Sequence, residues 1–162
     1  MKTSSKTNTV EKPCVLIMAG GIGSRFWPVS KNKHPKQFLD ILGTGKSLLR
    51  QTYERFEKII PAENIYVITN ETYLDLVKQH IPELSDQQIL LEPLRKNTSP
   101  CVAYAAYKIA SLNASANLIV APSDHVILDE AKFADVVMQA ANYTNTNDDI
   151  ITLGILPTRP DT

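Results

Sequence analysis

Five short apolar runs alternate along this chain with segments patterned as helices, and that alternation narrows the fold more than any other feature. Cys14–Ala19, Asn64–Thr69, Gln88–Leu91, Asn117–Ala121 and Asp149–Leu153 read as strands. Between them, Ser47 to about Ile59, Glu71–His80, Ser99–Leu112 and Ala131–Tyr143 carry helical spacing. The first presents Leu48, Leu49, Thr52, Tyr53 and Phe56 on one face; the last turns Phe133, Val136, Val137 and Ala140 inward. Strands joined by helices of this length form a mostly parallel sheet covered on both faces, an α/β architecture. Ligands of such sheets sit beyond the carboxyl ends of the strands. The distinctive loops fall there: 20–38, 92–99 and 122–125.

The first loop joins an apolar strand to a glycine-rich turn in VLIMAGGIGSRFWPVSKNKHPKQF. Gly20, Gly21 and Gly23 are expected to take positive φ and crowd their N–H groups around an anion. Ala19 and Ser24 flank that cradle, and Arg25 and Lys36 add full positive charges, which suits a polyphosphate. Trp27 and Pro28 are expected to shape the loop by packing, and Phe38 to anchor it so that Lys36 is held still. Two other phosphate motifs fail. The dinucleotide fingerprint laid on Gly21 and Gly23 needs a third glycine where Phe26 stands. Gly43-Thr44-Gly45-Lys46-Ser47 ends like a P-loop, but Asp40 holds the place of its first glycine. That stretch reads as a turn, with Ser47 capping the next helix.

Asp124, in Pro122-Ser123-Asp124-His125, follows an apolar strand and is placed to hold Mg²⁺ bridging phosphate oxygens. Taken alone it is as readily a turn cap. After the third run comes Glu92-Pro93-Leu94-Arg95-Lys96-Asn97-Thr98-Ser99. A glutamate there can accept from N1–H and the exocyclic amine of guanine, which adenine cannot match. Asn97 and Thr98 offer polar contacts, and also resemble an N-cap cluster for the helix that follows.

Composition removes other classes. With 17 basic and 17 acidic residues and no basic run, nucleic acid or an anionic membrane has no electrostatic support. No segment approaches the ~18 apolar residues of a membrane span. Cys14 and Cys101 sit in apolar segments without zinc-ligand spacing, as buried thiols of a cytoplasmic protein would. Residues 1–12 read as a loose polar tail and 13–162 as a nucleotide-binding unit.

AGGIGSRFWPVSKNKHPKQF, EPLRKNTSPCVAYAA, APSDH and ITLGILPTRPDT together resemble the mannose-1-phosphate guanylyltransferases, from about residue 13 to the end. The resemblance implies a Rossmann-like nucleotide-diphospho-sugar transferase fold, GTP and mannose 1-phosphate as substrates, and Mg²⁺. It places the GTP phosphates on Gly20, Gly21 and Gly23, charge neutralisation on Arg25 and Lys36, and the metal on Asp124. Glu92 and Asn97 would face guanine, with Ala19, Ser24, Thr98 and Ser123 also nucleotide-binding. The family runs on past an Arg-Pro-Asp-Thr segment like 159–162 into a sugar-binding half and a C-terminal β region. The chain is thus expected to be the nucleotide-binding portion of a longer enzyme, with a possible homo-oligomer. The alternatives are a catalytically silent GTP-binding module, or a pyrophosphorylase for another nucleotide and sugar phosphate.

Overall fold

The structure, a computed structural model, describes residues 12–22 and 27–156. Four strands, β1 (Cys14–Met18), β2 (Ile65–Thr69), β3 (Ile89–Leu91) and β4 (Leu118–Pro122), form one sheet in the order β3-β2-β1-β4. Every pairing is parallel, with Val15 opposite Ile65, Val67 opposite Ile89 and Cys14 opposite Leu118. The connections carry α1 (Leu48–Glu57), α2 (Leu74–His80) and α3 (Thr98–Leu112), and α4 (Glu130–Thr144) follows β4.

Alternation along the strands divides the helices between two faces. Val15, Ile17 and Ala19 of the β1 segment pack with Leu49, Tyr53 and Phe56 of α1, Val77 of α2 and Val137 of α4. Leu16 and Ile68 turn the other way, against Cys101 and Ala105 of α3. The expected α/β architecture with helices on both faces is what forms. Its faces are unequal, three helices against one.

Local chemistry sets the element ends. Ser47 Oγ accepts from Arg50 N at 3.2 Å and caps α1. In the preceding turn Gly43 and Gly45 hold φ of 68° and 79°, and the Asp40 carboxylate accepts from Thr44 N at 3.0 Å and Gly45 N at 2.7 Å. Those amides hold the Asp40 carboxyl below its ordinary range. A P-loop aims such amides at phosphate; here a fixed carboxylate already occupies them.

Three expectations are corrected. Residues 149–153 form no strand: Ile150, Ile151 and Leu153 are exposed, and the outer edge of β4 pairs with no other described strand. An apolar run without a neighbouring strand to pair with stays irregular. On α4, Val136 is exposed, and Ala141 with Val137 forms the buried stripe. Trp27 is 79% exposed, so it does not pack in its loop.

Candidate active site

The strand order reverses direction between β1 and β4, the topological switch where open α/β sheets bind ligands. Ser123 N donates to Met18 O at 3.2 Å, which ties the end of β4 to that of β1 and sets Asp124 beside it. From the other side comes the loop that carries Lys36. Its Nζ lies 3.6 Å from Asp124 Oδ2, with the two side chains 23% and 43% exposed. The basic and the acidic residue singled out in separate loops therefore meet at one corner.

Lys36 opens a single 3-10 turn, Lys36–Phe38, whose other two residues are buried. Phe38 packs in a tilted contact, centroids 5.9 Å apart, against Tyr73, whose hydroxyl donates to Asn32 O at 3.0 Å. Gln37 reaches back into the glycine turn: its Nε2 donates to Ala19 O at 3.0 Å and Gly21 O at 2.9 Å. Thr69 Oγ1 donates to Ala19 O at 3.1 Å, and Arg95 Nη2 to Gly20 O at 2.9 Å. Three successive carbonyls are thus held by side chains. In a trans peptide the following N–H points opposite its carbonyl. The amides of Gly20, Gly21 and Ile22 are therefore turned away from those anchors, and none finds a hydrogen-bond acceptor among the described residues.

This cradle works differently from the expected one. Neither Gly20 nor Gly21 has a positive φ. A Cβ on Gly20 would meet only Glu92 Oε2, at 3.7 Å, and one on Gly21 would meet nothing. Amide direction comes from Gln37, Thr69 and Arg95, not from left-handed glycine. Gln37 was missed in the sequence, where one polar residue between a lysine and a phenylalanine reads as surface.

Glu92 stands at the second corner. Its N–H donates to Thr69 O at 2.7 Å, extending the β2–β3 ladder by one step, and its carboxylate reaches Lys96 N and the Cys101 thiol. Burial, then the Glu92 charge and hydrogen bond, push the Cys101 thiol up to about 11, so it stays protonated. Asn97 is the residue before α3, at φ 69° and ψ −171°, and its side chain makes no capping bond. Asn97 and Thr98 are exposed on the rim, while Ser123 is buried beneath it. A cleft of about 540 Å³ lies past the ends of β2 and β3, lined by Asn70, Glu71, Thr72 and residues 91–95. Gly23, Ser24 and Arg25 lie outside the described residues.

Among the described residues no group of three His, Cys, Asp or Glu side chains could hold a metal. Asp124 contributes a single carboxylate, paired with Lys36.

Residues 14–162 match the nucleotidyl transferase family, and the chain belongs to it. Within that family, 149 residues are 41% identical to a mannose-1-phosphate guanylyltransferase of Salmonella montevideo. A further 149-residue match is 38% identical to the xanthan biosynthesis protein XanB of Xanthomonas campestris. Each match covers 91% of this chain and 31% of the relative, so the chain spans about a third of those proteins. A crystal structure described as mannose-1-phosphate geranyltransferase from Thermus thermophilus superposes with a TM-score of 0.69 at 31% identity. It is covered over 37% of its length by 80% of this chain. Among the described residues no helix is long and apolar enough to cross a membrane.

Proposed function

We propose that this chain is the nucleotide-binding part of a cytoplasmic mannose-1-phosphate guanylyltransferase. A phosphate oxygen of mannose 1-phosphate attacks the α-phosphorus of GTP; the new P–O bond makes GDP-mannose, and the bond to the bridging oxygen breaks to release pyrophosphate. The nucleophile is already an anion, so no protein nucleophile or general base is needed. The protein must align two anions that repel each other and stabilise the charge that builds up between them. The observation that carries the reading is the meeting of Lys36 and Asp124 beside outward-facing glycine-loop amides.

In this reading the Gly20 and Gly21 amides cradle phosphate oxygens, and Gly23 and Ser24 are assigned further phosphate contacts. Lys36, together with Arg25, neutralises the triphosphate and the departing pyrophosphate. Asp124 would hold Mg²⁺, which supplies further neutralisation of phosphate charge. Glu92 accepts from the guanine N1–H and amine, with Asn97 and Thr98 on the rim beside it.

The test is pyrophosphate release by the complete protein with GTP, ATP, CTP and UTP against a panel of sugar 1-phosphates. Turnover with GTP and mannose 1-phosphate, abolished by EDTA and restored by Mg²⁺, is the expected result. Preference for another pair would reassign the substrates. Because the chain spans about a third of its relatives, a second reading stands for it alone: a GTP-binding unit without turnover. GTP binding without pyrophosphate release by these 162 residues would identify that case.

A further inference from the structure

The loop that brings Lys36 to the rim is tied down unevenly. After Lys36 it is firmly seated: Gln37 grips the Ala19 and Gly21 carbonyls, and Phe38 is buried against the rings of Tyr73 and His80. Before Lys36 the chain passes through an exposed turn, Lys31–His34. That turn is closed on itself by Lys31 N donating to His34 O at 3.2 Å and His34 N to Lys31 O at 2.9 Å. Among the described residues, one side chain from another element donates a hydrogen bond to residues 27–35. It is the Tyr73 hydroxyl, bonded to Asn32 O at 3.0 Å.

Tyr73 is aimed by the end of β2. It completes the 3-10 turn Glu71–Tyr73, where its N–H donates to Asn70 O at 3.0 Å, and it is 3% exposed. Its ring meets Phe38 on the lysine loop and lies under the Arg95 guanidinium, 5.8 Å from the centroid. Arg95 in turn donates to Gly20 O. One side chain thus touches both supports of the phosphate site, the lysine loop and the glycine turn. A phenylalanine would satisfy the ring contacts. The hydroxyl's partner is the carbonyl of an exposed residue, which water would serve nearly as well, so the bond adds little to stability. What it adds is direction, because ring contacts tolerate sliding and a hydrogen bond weakens steeply when misaligned. From Asn32 the connection to Lys36 is stiff. The Lys31–His34 bridge fixes the turn, and Pro35, at φ −66°, leads straight into the 3-10 turn that Lys36 opens.

We propose that Tyr73 is a positioning residue for nucleotidyl transfer: its hydroxyl holds the Lys31–His34 turn so that the Lys36 ammonium stays at the rim beside Asp124. The assignment rests on the transfer reading above, in which Lys36 stabilises phosphate charge, and is the same for any base. Such stabilisation depends steeply on where the cation sits relative to the charge that develops.

Steady-state pyrophosphate release by the complete protein tests this, with whichever nucleotide and sugar 1-phosphate it turns over fastest. It is measured for wild type, Tyr73→Phe, Lys36→Ala and the double variant. Tyr73→Phe removes the hydroxyl and keeps the ring. It should lower kcat about tenfold, part of the ~10²-fold that a 1 Å misplacement can cost. KM should move less than about twofold, since the contact matters in the transition state. The thermal midpoint and the preference between GTP and ATP should stay near wild type. In the Lys36→Ala background the same change should leave kcat where it is, because the group it positions is gone. A merely structural role would lower kcat alike in both backgrounds. Wild-type kcat in Tyr73→Phe, a rise in KM alone, an equal fall in both backgrounds or an altered nucleotide preference each overturns the inference and leaves the transfer reading standing. If wild type releases pyrophosphate from no pair, the transfer reading falls and takes the inference with it.

Discussion

The two corners of the rim are built from opposite materials. At the β1/β4 corner an opposed charge pair, Lys36 and Asp124, meets half in solvent, brought together by a loop and a strand end. At the β2/β3 corner Asn70 and Glu92 follow the paired strand ends, and the Glu92 carboxylate lies against the Cys101 thiol. Full charges at the edge of solvent suit phosphates, which are themselves solvated anions. Partly buried, directional groups suit a planar base, where one misplaced donor is costly. The contrast teaches a division of labour: one corner should govern rate and the other choice of substrate.

The strongest way to break that division is at the charged corner. In the complete protein Asp124→Asn or Lys36→Ala should lower kcat about 10²–10³-fold, the loss seen when a preorganised charge contact is removed. KM ratios among nucleotides should barely move. Steady-state kinetics with GTP and ATP check this; a change in nucleotide preference without a fall in kcat would reverse the roles of the corners.

At the other corner, Glu92→Gln replaces an acceptor pair with one acceptor and one donor. GTP binding should weaken about 10- to 100-fold, as for loss of a charge-assisted hydrogen bond. ATP binding should change little, and titration of both nucleotides measures the difference. Equal weakening of both would make Glu92 a structural residue and not a base reader.

How much of this was legible beforehand depends on distance along the chain. The helices, the first four strands and the Ser47 cap follow from period and local side-chain chemistry, which short windows of sequence contain. The placement of Lys36 and Asp124 on one rim follows from parallel topology. What stayed hidden depends on contacts between distant segments. Gln37 matters because it grips Ala19 and Gly21, 18 and 16 residues earlier, and nothing in its own neighbourhood signals that grip. The apolar run at 149–153 has strand composition, but a strand is completed by its neighbour, and no described strand pairs with it.

Gln37 tests whether the rate corner depends on its scaffold. Gln37→Leu keeps the volume but leaves the carbonyls of Ala19 and Gly21 without their donor. Thr69 still serves Ala19 and Gly21 is exposed, so the cost should be about 0.5–1.5 kcal/mol, the net worth of one hydrogen bond. Urea unfolding measures that loss, and kcat should fall with it because the amides lose their aim. A variant equally stable and equally active would remove Gln37 from the site.

The smallest expected effect connects the base-reading corner to α3 through Cys101. Burial first, and then the Glu92 charge, raise this thiol from 9.0 to about 11 in the folded chain. The unfolded thiol ionises at lower pH, so between those values the unfolded state binds fewer protons and stability falls as pH rises. The contribution is intact below pH 9 and is lost progressively toward pH 11. By pH 10 it amounts to about 1.4 kcal/mol, one unit of proton affinity. Because Tyr53 and Tyr66 are raised too, the difference between wild type and Cys101→Ala isolates the thiol. Glu92→Gln should reduce the slope without abolishing it, since burial remains the larger cause. Urea unfolding of the three proteins at pH 8, 9 and 10 checks both expectations. Parallel curves for wild type and Cys101→Ala would mean that the thiol does not titrate against the base-reading carboxylate.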